Sequence, residues 1–202
     1  MDFSNIKIDT SEVLRYLGAN GAKDEVLRAK IEEAKCVVIN TAAPKITYKE
    51  NEREIVFAAT LGASVDKLIN KTQLSDMGLA VIYDAVANAM IESICDKFEK
   101  EMTGKVGARF SPGYGDFPLS AQHSILEHLD ATRKIGLTLA SGGMLNPVKS
   151  VTAVIRKESD GGSQRQESDG DLQRQENDGG SQRRGCGNCN MRNTCVFRKE
   201  RR

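Results

Sequence analysis

The chain is short of net charge. Its 202 residues carry 29 Lys+Arg against 28 Asp+Glu, a formal +1, so no global field points to nucleic acid or to an anionic membrane surface. It also lacks a continuous apolar run of the roughly 20 residues that a membrane helix needs. The first 18 residues, MDFSNIKIDTSEVLRYLG, place acids early and have no unbroken apolar core, which excludes a secretory signal or a transit peptide. These absences together read as a cytoplasmic protein. Histidine occurs twice, as His123 and His128; on a helix that separation puts them about 140° apart, so they cannot chelate one metal as an adjacent pair. Cysteine is odd in number, five, with three crowded near the C-terminus, which suits reduced thiols or metal ligands better than a disulfide framework.

What is present divides into a patterned part and an unpatterned one. Residues 9–19 read as a short helix with Asp9 or Thr10 as N-cap, Leu14 and Leu17 on one face and Gly18 near its stop. A second helix runs from Lys23 to about Asn40 on the recurrence of Val26, Ala29, Lys30 and Glu33, with Pro44 barring further extension. Lys45–Lys49 and Glu54–Leu61 are strand-like, and the run IVFAATL in the second marks a buried strand. From Ser64 to about Lys100 the pattern is helical, with a break near Thr72–Ser75. The stripe Leu79, Ile82, Val86, Met90, Ile94 and Phe98 is flanked by Val81, Ile91 and Cys95, so this helix is apolar nearly all round and expected to be mostly buried. Asp84 and Glu92 are the charges within Leu79–Cys95. Leu119–Ile135 reads as one more helix with Ile125, Leu126 and Leu129 inward and Pro118 in its first turn. Leu137–Ala140 and Ser150–Ile155 have strand character on either side of the turn SGGMLNP. Cys36 and Cys95 sit in apolar helical contexts and read as small core residues.

The pattern predicts an α+β domain over residues 1–156, mixed helices packed on a twisted, mainly antiparallel sheet. Composition then changes. ESDGGSQRQ, ESDGDLQRQ and ENDGGSQRR are three copies of a nine-residue unit over Glu158–Arg184, with Leu172 as the single large apolar residue. Such a stretch cannot bury enough surface to offset the entropy of ordering it, so residues 157–185 are expected to be a disordered linker and 186–202 a cysteine-rich basic tail. Cys186-x2-Cys189-x5-Cys195 offers three thiolates, one short of a closed zinc site. Zinc, an iron–sulfur cluster, or free thiols all fit that spacing. Arg198, Lys199, Arg201 and Arg202 could touch nucleic acid, but without a wider basic face they read as a solvated end.

One loop stands out in a chain that is 5% aromatic: Arg109–Pro118, RFSPGYGDFP. As plain structure it is a rigid turn in which prolines set φ and glycines allow positive φ. As a site it offers a guanidinium able to clamp a carboxylate or phosphate bidentately, glycines that admit a ligand to the backbone, and a tyrosine with a flat face and a hydroxyl.

This run, the helix after it, the segment IGLTLASGGMLNPVKSVTAVI, and the upstream AATLGASVDKLINKTQLSDMGLAVIYDAVANAMIESICDKFEKE together resemble the reactivation domain of cobalamin-dependent methionine synthase, more closely its free-standing form, over about Ser11–Ile155. The resemblance implies binding of S-adenosylmethionine, the methyl donor when oxidised cobalamin is reductively remethylated. It assigns Arg109 to the ligand's carboxylate, Ser111 and Gly113 to the lining, Tyr114 to the side facing the corrin, and Glu92 to a further contact. It implies as partners the cobalamin-binding module of a separate methionine synthase and a flavodoxin- or ferredoxin-like electron donor. No motif for a cobalamin-ligating histidine is present, so any cobalamin is expected on the partner. Here the nonapeptide repeats stand where the family's sheet continues. Two other readings stay open: a non-catalytic interaction module that retains only the fold, and a redox protein whose cysteine tail carries a cluster that reduces corrinoid proteins.

Overall fold

The computed structural model describes residues 3, 6–20, 23–102 and 106–157. The nonapeptide repeats and the cysteine tail lie outside the described residues. Helices α1 (Thr10–Tyr16) and α2 (Glu25–Thr41) lead into a hairpin of β1 (Lys45–Glu50) and β2 (Glu54–Thr60). Helices α3 (Ala63–Gln73) and α4 (Met77–Glu101) follow, then β3 (Val106–Phe110), α5 (Ala121–Leu129), α6 (Ala131–Ile135), a two-stranded ribbon of β4 (Thr138–Leu139) and β5 (Leu145–Asn146), and β6 (Ser150–Lys157). Aspartates set three of the helix starts. Asp9 accepts from Ser11 N, Asp24 from Val26 N and Leu27 N, and Asp76 from Leu79 N, each satisfying N–H groups that the helix itself cannot.

The main sheet runs β1-β2-β6-β3 with every neighbour antiparallel. Strand β2 is central and covered on both sides, which is why its sequence is apolar without alternation. Ile55, Phe57 and Ala59 face a core built with α1 to α4, whereas Val56 and Ala58 face a second core with Ile125, Leu126, Leu129, Ala131, Ile135 and Leu137. The architecture is therefore α+β, an antiparallel sheet between two helical layers.

Helix α4 is the hub of the larger core, burying Ile82, Val86, Met90, Ile94 and Phe98 among others. Its 25 residues, with mean hydropathy 1.4 in the most apolar window, would satisfy a length-and-composition test for crossing a membrane, but 61% of that window is buried in the domain. Aromatic contacts fix its C-terminal half to the sheet: the Phe98 ring lies 4.8 Å from Phe57 on β2 and 5.2 Å from Tyr48 on β1. The opposite half is tied by Lys149, which is buried yet bonded to Asp84 Oδ1 at 2.6 Å and Asn88 Oδ1 at 2.8 Å. A buried ammonium requires such partners.

Helix α2 forms where the periodicity placed it and turns Ile31, Ala34 and Val38 inward, leaving Val26 67% exposed and Ala29, Lys30 and Glu33 outward. Three expectations are corrected. Cys36, on that outer side, is exposed rather than a core residue. The expected helix Leu119–Ile135 begins at Ala121 and breaks at Asp130, whose left-handed φ of 54° ends α5 and starts α6. Leu137–Ala140 contributes only a two-residue strand, paired with β5 and not with the main sheet. Strand β3 carries no expectation from the sequence; it pairs with β6 across an irregular register.

Phe98→Ala should lower unfolding free energy by about 3–5 kcal/mol because the ring fills the α4–sheet junction. Leu74→Ala, at 89% exposure, should shift it by less than about 0.5 kcal/mol. Urea titrations of the two variants check the contrast.

Candidate functional site

Strand β3 and helix α4 build the site. Arg109 pairs across the ladder with Ile155, a residue of the core shared with α4, so its side chain leaves the sheet on that side. Facing it, α4 presents Glu92, Asp96 and Glu99, spaced i, i+4 and i+7 and hence on one stripe. Arg109 Nη1 donates to Asp96 Oδ1 at 2.8 Å and to Glu99 Oε1, and Nη2 donates to Glu92 Oε2. The arginine side chain is 16% exposed, Glu99 23%, Glu92 30% and Asp96 46%.

Three properties follow from this arrangement. Burial alone would lower the Arg109 pKa, yet the charge of Glu92 and the bonds to Glu99 outweigh it and raise the value above its ordinary one, so the group stays cationic. Guanidinium has five N–H donors; three go to the α4 carboxylates, and the other two have no partner among the described residues. Three carboxylates around one guanidinium also leave two formal negative charges in excess.

Two uncharged groups adjoin the cluster. Cys95 is buried on α4, and burial pushes its thiol up to about 12 against the opposing pull of Arg109. Tyr16, at the end of α1, is raised by burial and then by the charge of Glu92, which places its phenol on the Glu92 side of the site. The Arg15 guanidinium lies 4.5 Å over the Tyr16 ring and pairs with Glu12 at 2.7 Å.

The loop after β3 is a packed turn. Gly113 N–H donates to Phe117 O at 2.8 Å and Tyr114 N–H to Ser111 O at 3.3 Å. Gly113 and Gly115 have φ of 90° and 58°, and a Cβ on Gly115 would stand 3.2 Å from the Phe110 ring, which itself stacks on Phe117 with centroids 5.8 Å apart. Both glycines are thus required by the turn itself, and the N–H of Gly113 is committed within the loop. Pro112 is buried, Ser111 half-buried, and Tyr114 63% exposed at the turn.

Of the sequence-derived candidates, Arg109 and Glu92 are brought into direct contact. Ser111, Gly113 and Tyr114 lie on the adjoining turn. Cys186, Cys189 and Cys195 lie outside the described residues, and among the described residues no group of three His, Cys, Asp or Glu is placed to hold a metal ion. Asp96, Glu99 and Tyr16 are additions that the sequence reading missed. The i, i+4, i+7 carboxylate spacing on an otherwise apolar helix was the available signal for the first two; Tyr16 had none. An open groove of about 540 Å³ bordered by His123, Glu127, Asp130 and Thr138 lies by α5 and α6, across the sheet from Arg109, and its His123 and Glu127 side chains are well exposed.

The fold thus defined is an antiparallel sheet with an arginine at the end of one edge strand, held by a carboxylate stripe on the core helix. It is similar to the crystal structure of the MetH reactivation domain bound to AdoHcy, with a TM-score of 0.59 at 13% identity, covering 80% of this chain and 77% of that one. At that identity the likeness establishes a shared fold. No protein-family model matches the chain, and no curated protein sequence does.

Brief alkylation under native conditions should modify Cys36 and leave Cys95 untouched until denaturant is added, because burial keeps the Cys95 thiol protonated; peptide mass spectrometry reads the two sites separately. Replacing Arg109 by Met should destabilise the domain by about 1–2 kcal/mol, a figure reduced for the partial exposure of the carboxylates. The loss should shrink in 1 M salt, which screens the remaining repulsion; urea titrations at the two ionic strengths measure it.

Proposed function

We propose that the chain binds S-adenosylmethionine at Arg109 and serves as the methyl-donor component in reductive remethylation of cobalamin held by a separate methionine synthase. The observation that carries the reading is the state of Arg109: positioned by three carboxylates, kept cationic, and with two N–H groups unpartnered among the described residues. Guanidinium N–H donors of this kind are what a ligand carboxylate requires. The ligand's amino group and sulfonium are cations, and the excess negative charge of Glu92, Asp96 and Glu99 complements them. A fold shared with a domain solved with AdoHcy supports the same ligand class.

S-adenosylmethionine supplies an electrophilic methyl group, which passes to the partner's cobalt after that metal accepts one electron, leaving the thioether. The residues of this chain contribute position rather than proton transfer. Arg109 anchors the amino-acid end, the stiff turn from Ser111 to Phe117 sets the distance to the exposed Tyr114 face, and that face is turned to the partner. The electron comes from a flavodoxin- or ferredoxin-like donor.

Isothermal titration with S-adenosylmethionine tests the assignment. Wild type should bind, and Arg109→Ala should weaken affinity by about tenfold or more, the scale of a lost charge-assisted contact. Equal binding by the variant, or none by wild type at millimolar ligand, would contradict the site.

A further inference from the structure

We propose that Asp96 and Glu99 determine specificity in this site: they make it prefer a ligand that carries a second positive charge beyond its amino group, and so select the methylated sulfonium over the demethylated thioether. The inference rests on the functional reading above and extends it to two residues that neither the motif nor the fold likeness singles out.

Glu92 alone would neutralise Arg109, and a neutral pair would take a carboxylate ligand without regard to its other groups. Asp96 and Glu99 both converge on Nη1, and at i, i+4 and i+7 on α4 the three carboxylates repel one another. One guanidinium cannot neutralise three carboxylates. Among the nearby groups, Tyr16 and Cys95 are both pushed up by burial and stay neutral, Arg15 is paired with Glu12, and Lys97 is paired with Glu101 at 4.0 Å. The remainder is a half-buried excess of negative charge at the place where the ligand's carboxylate would meet Arg109. A ligand carrying only a carboxylate meets repulsion there; one carrying an additional cation relieves it.

S-adenosylmethionine and S-adenosylhomocysteine present the same carboxylate, amine, ribose and base, and differ by one methyl and one positive charge. Their affinity ratio therefore isolates the field of the carboxylates from everything the two ligands share, including competition with Asp96 and Glu99 for Arg109. One unit charge several ångström away in a partly exposed setting is worth about three- to tenfold in that ratio.

The experiment titrates the full chain with each ligand in wild type, Asp96→Asn and Glu99→Gln. Both amides keep an acceptor oxygen for Nη1, so the orientation of Arg109 is preserved while the charge is removed. Wild type should favour S-adenosylmethionine, and each variant should lower the preference by about three- to tenfold. A preference unchanged from wild type in both variants, even with weaker binding of both ligands, would assign the residues a structural role and overturn the proposal. The wild-type chain supplies a second measurement that needs no variant: raising salt from about 20 mM to 1 M should shrink the preference by screening, and an unchanged preference overturns the proposal equally. If wild type binds neither ligand, the functional reading itself fails, a result distinct from binding without discrimination.

Discussion

The ion cluster of Arg109 with Glu92, Asp96 and Glu99 is the constraint on which the rest of the site depends. A mostly buried guanidinium must be paired, and a carboxylate on an apolar core helix must be paired as well. Strand β3 and helix α4 each carry half of that requirement and satisfy it only in this one alignment. The alignment in turn needs α4 fixed along its length, which Phe98 against Phe57 and Tyr48 provides at one end and Lys149 with Asp84 and Asn88 provides toward the other. The core thus fixes the helix, and the helix holds the arginine.

Residues whose environment is symmetrical or strongly periodic were legible from the sequence. The run IVFAATL read as a buried strand because β2 is covered on both faces, and the all-round apolar pattern of α4 read as a core helix because it is one. For Glu92 the pattern left two readings, a partnered carboxylate or one on the wet side of the helix, and only the contact with Arg109 decides between them. Failures came where a long-range contact overrode a local pattern. The recurrence of Val26, Ala29, Lys30 and Glu33 announced the helix but not its buried face, because the core takes Ile31, Ala34 and Val38 instead. The break at Asp130 is a left-handed residue with no glycine to announce it. Strand β3 is short and irregularly paired, so VGARF offered no alternation to read. Asp96 and Glu99 were missed because their meaning depends on an arginine ten or more residues away.

The turn RFSPGYGDFP combines both of its readings. Its glycines and aromatic pair serve the turn, through the positive φ of Gly113 and Gly115 and the stacking of Phe110 on Phe117. The feature suited to a ligand is the arginine that precedes them. A rigid turn next to a pre-positioned cation is a suitable seat for a small zwitterion because little further ordering is needed on binding.

Delivery of a methyl group to a partner's cobalamin through Arg109, as proposed above, is directly measurable. The most direct measurement follows the cob(II)alamin absorbance of a cobalamin-loaded methionine synthase core given electron donor and S-adenosylmethionine. With wild-type chain present the absorbance should decay to that of methylcobalamin, and with Arg109→Ala it should persist. Decay at the same rate with the variant, or with no chain added, would contradict the account.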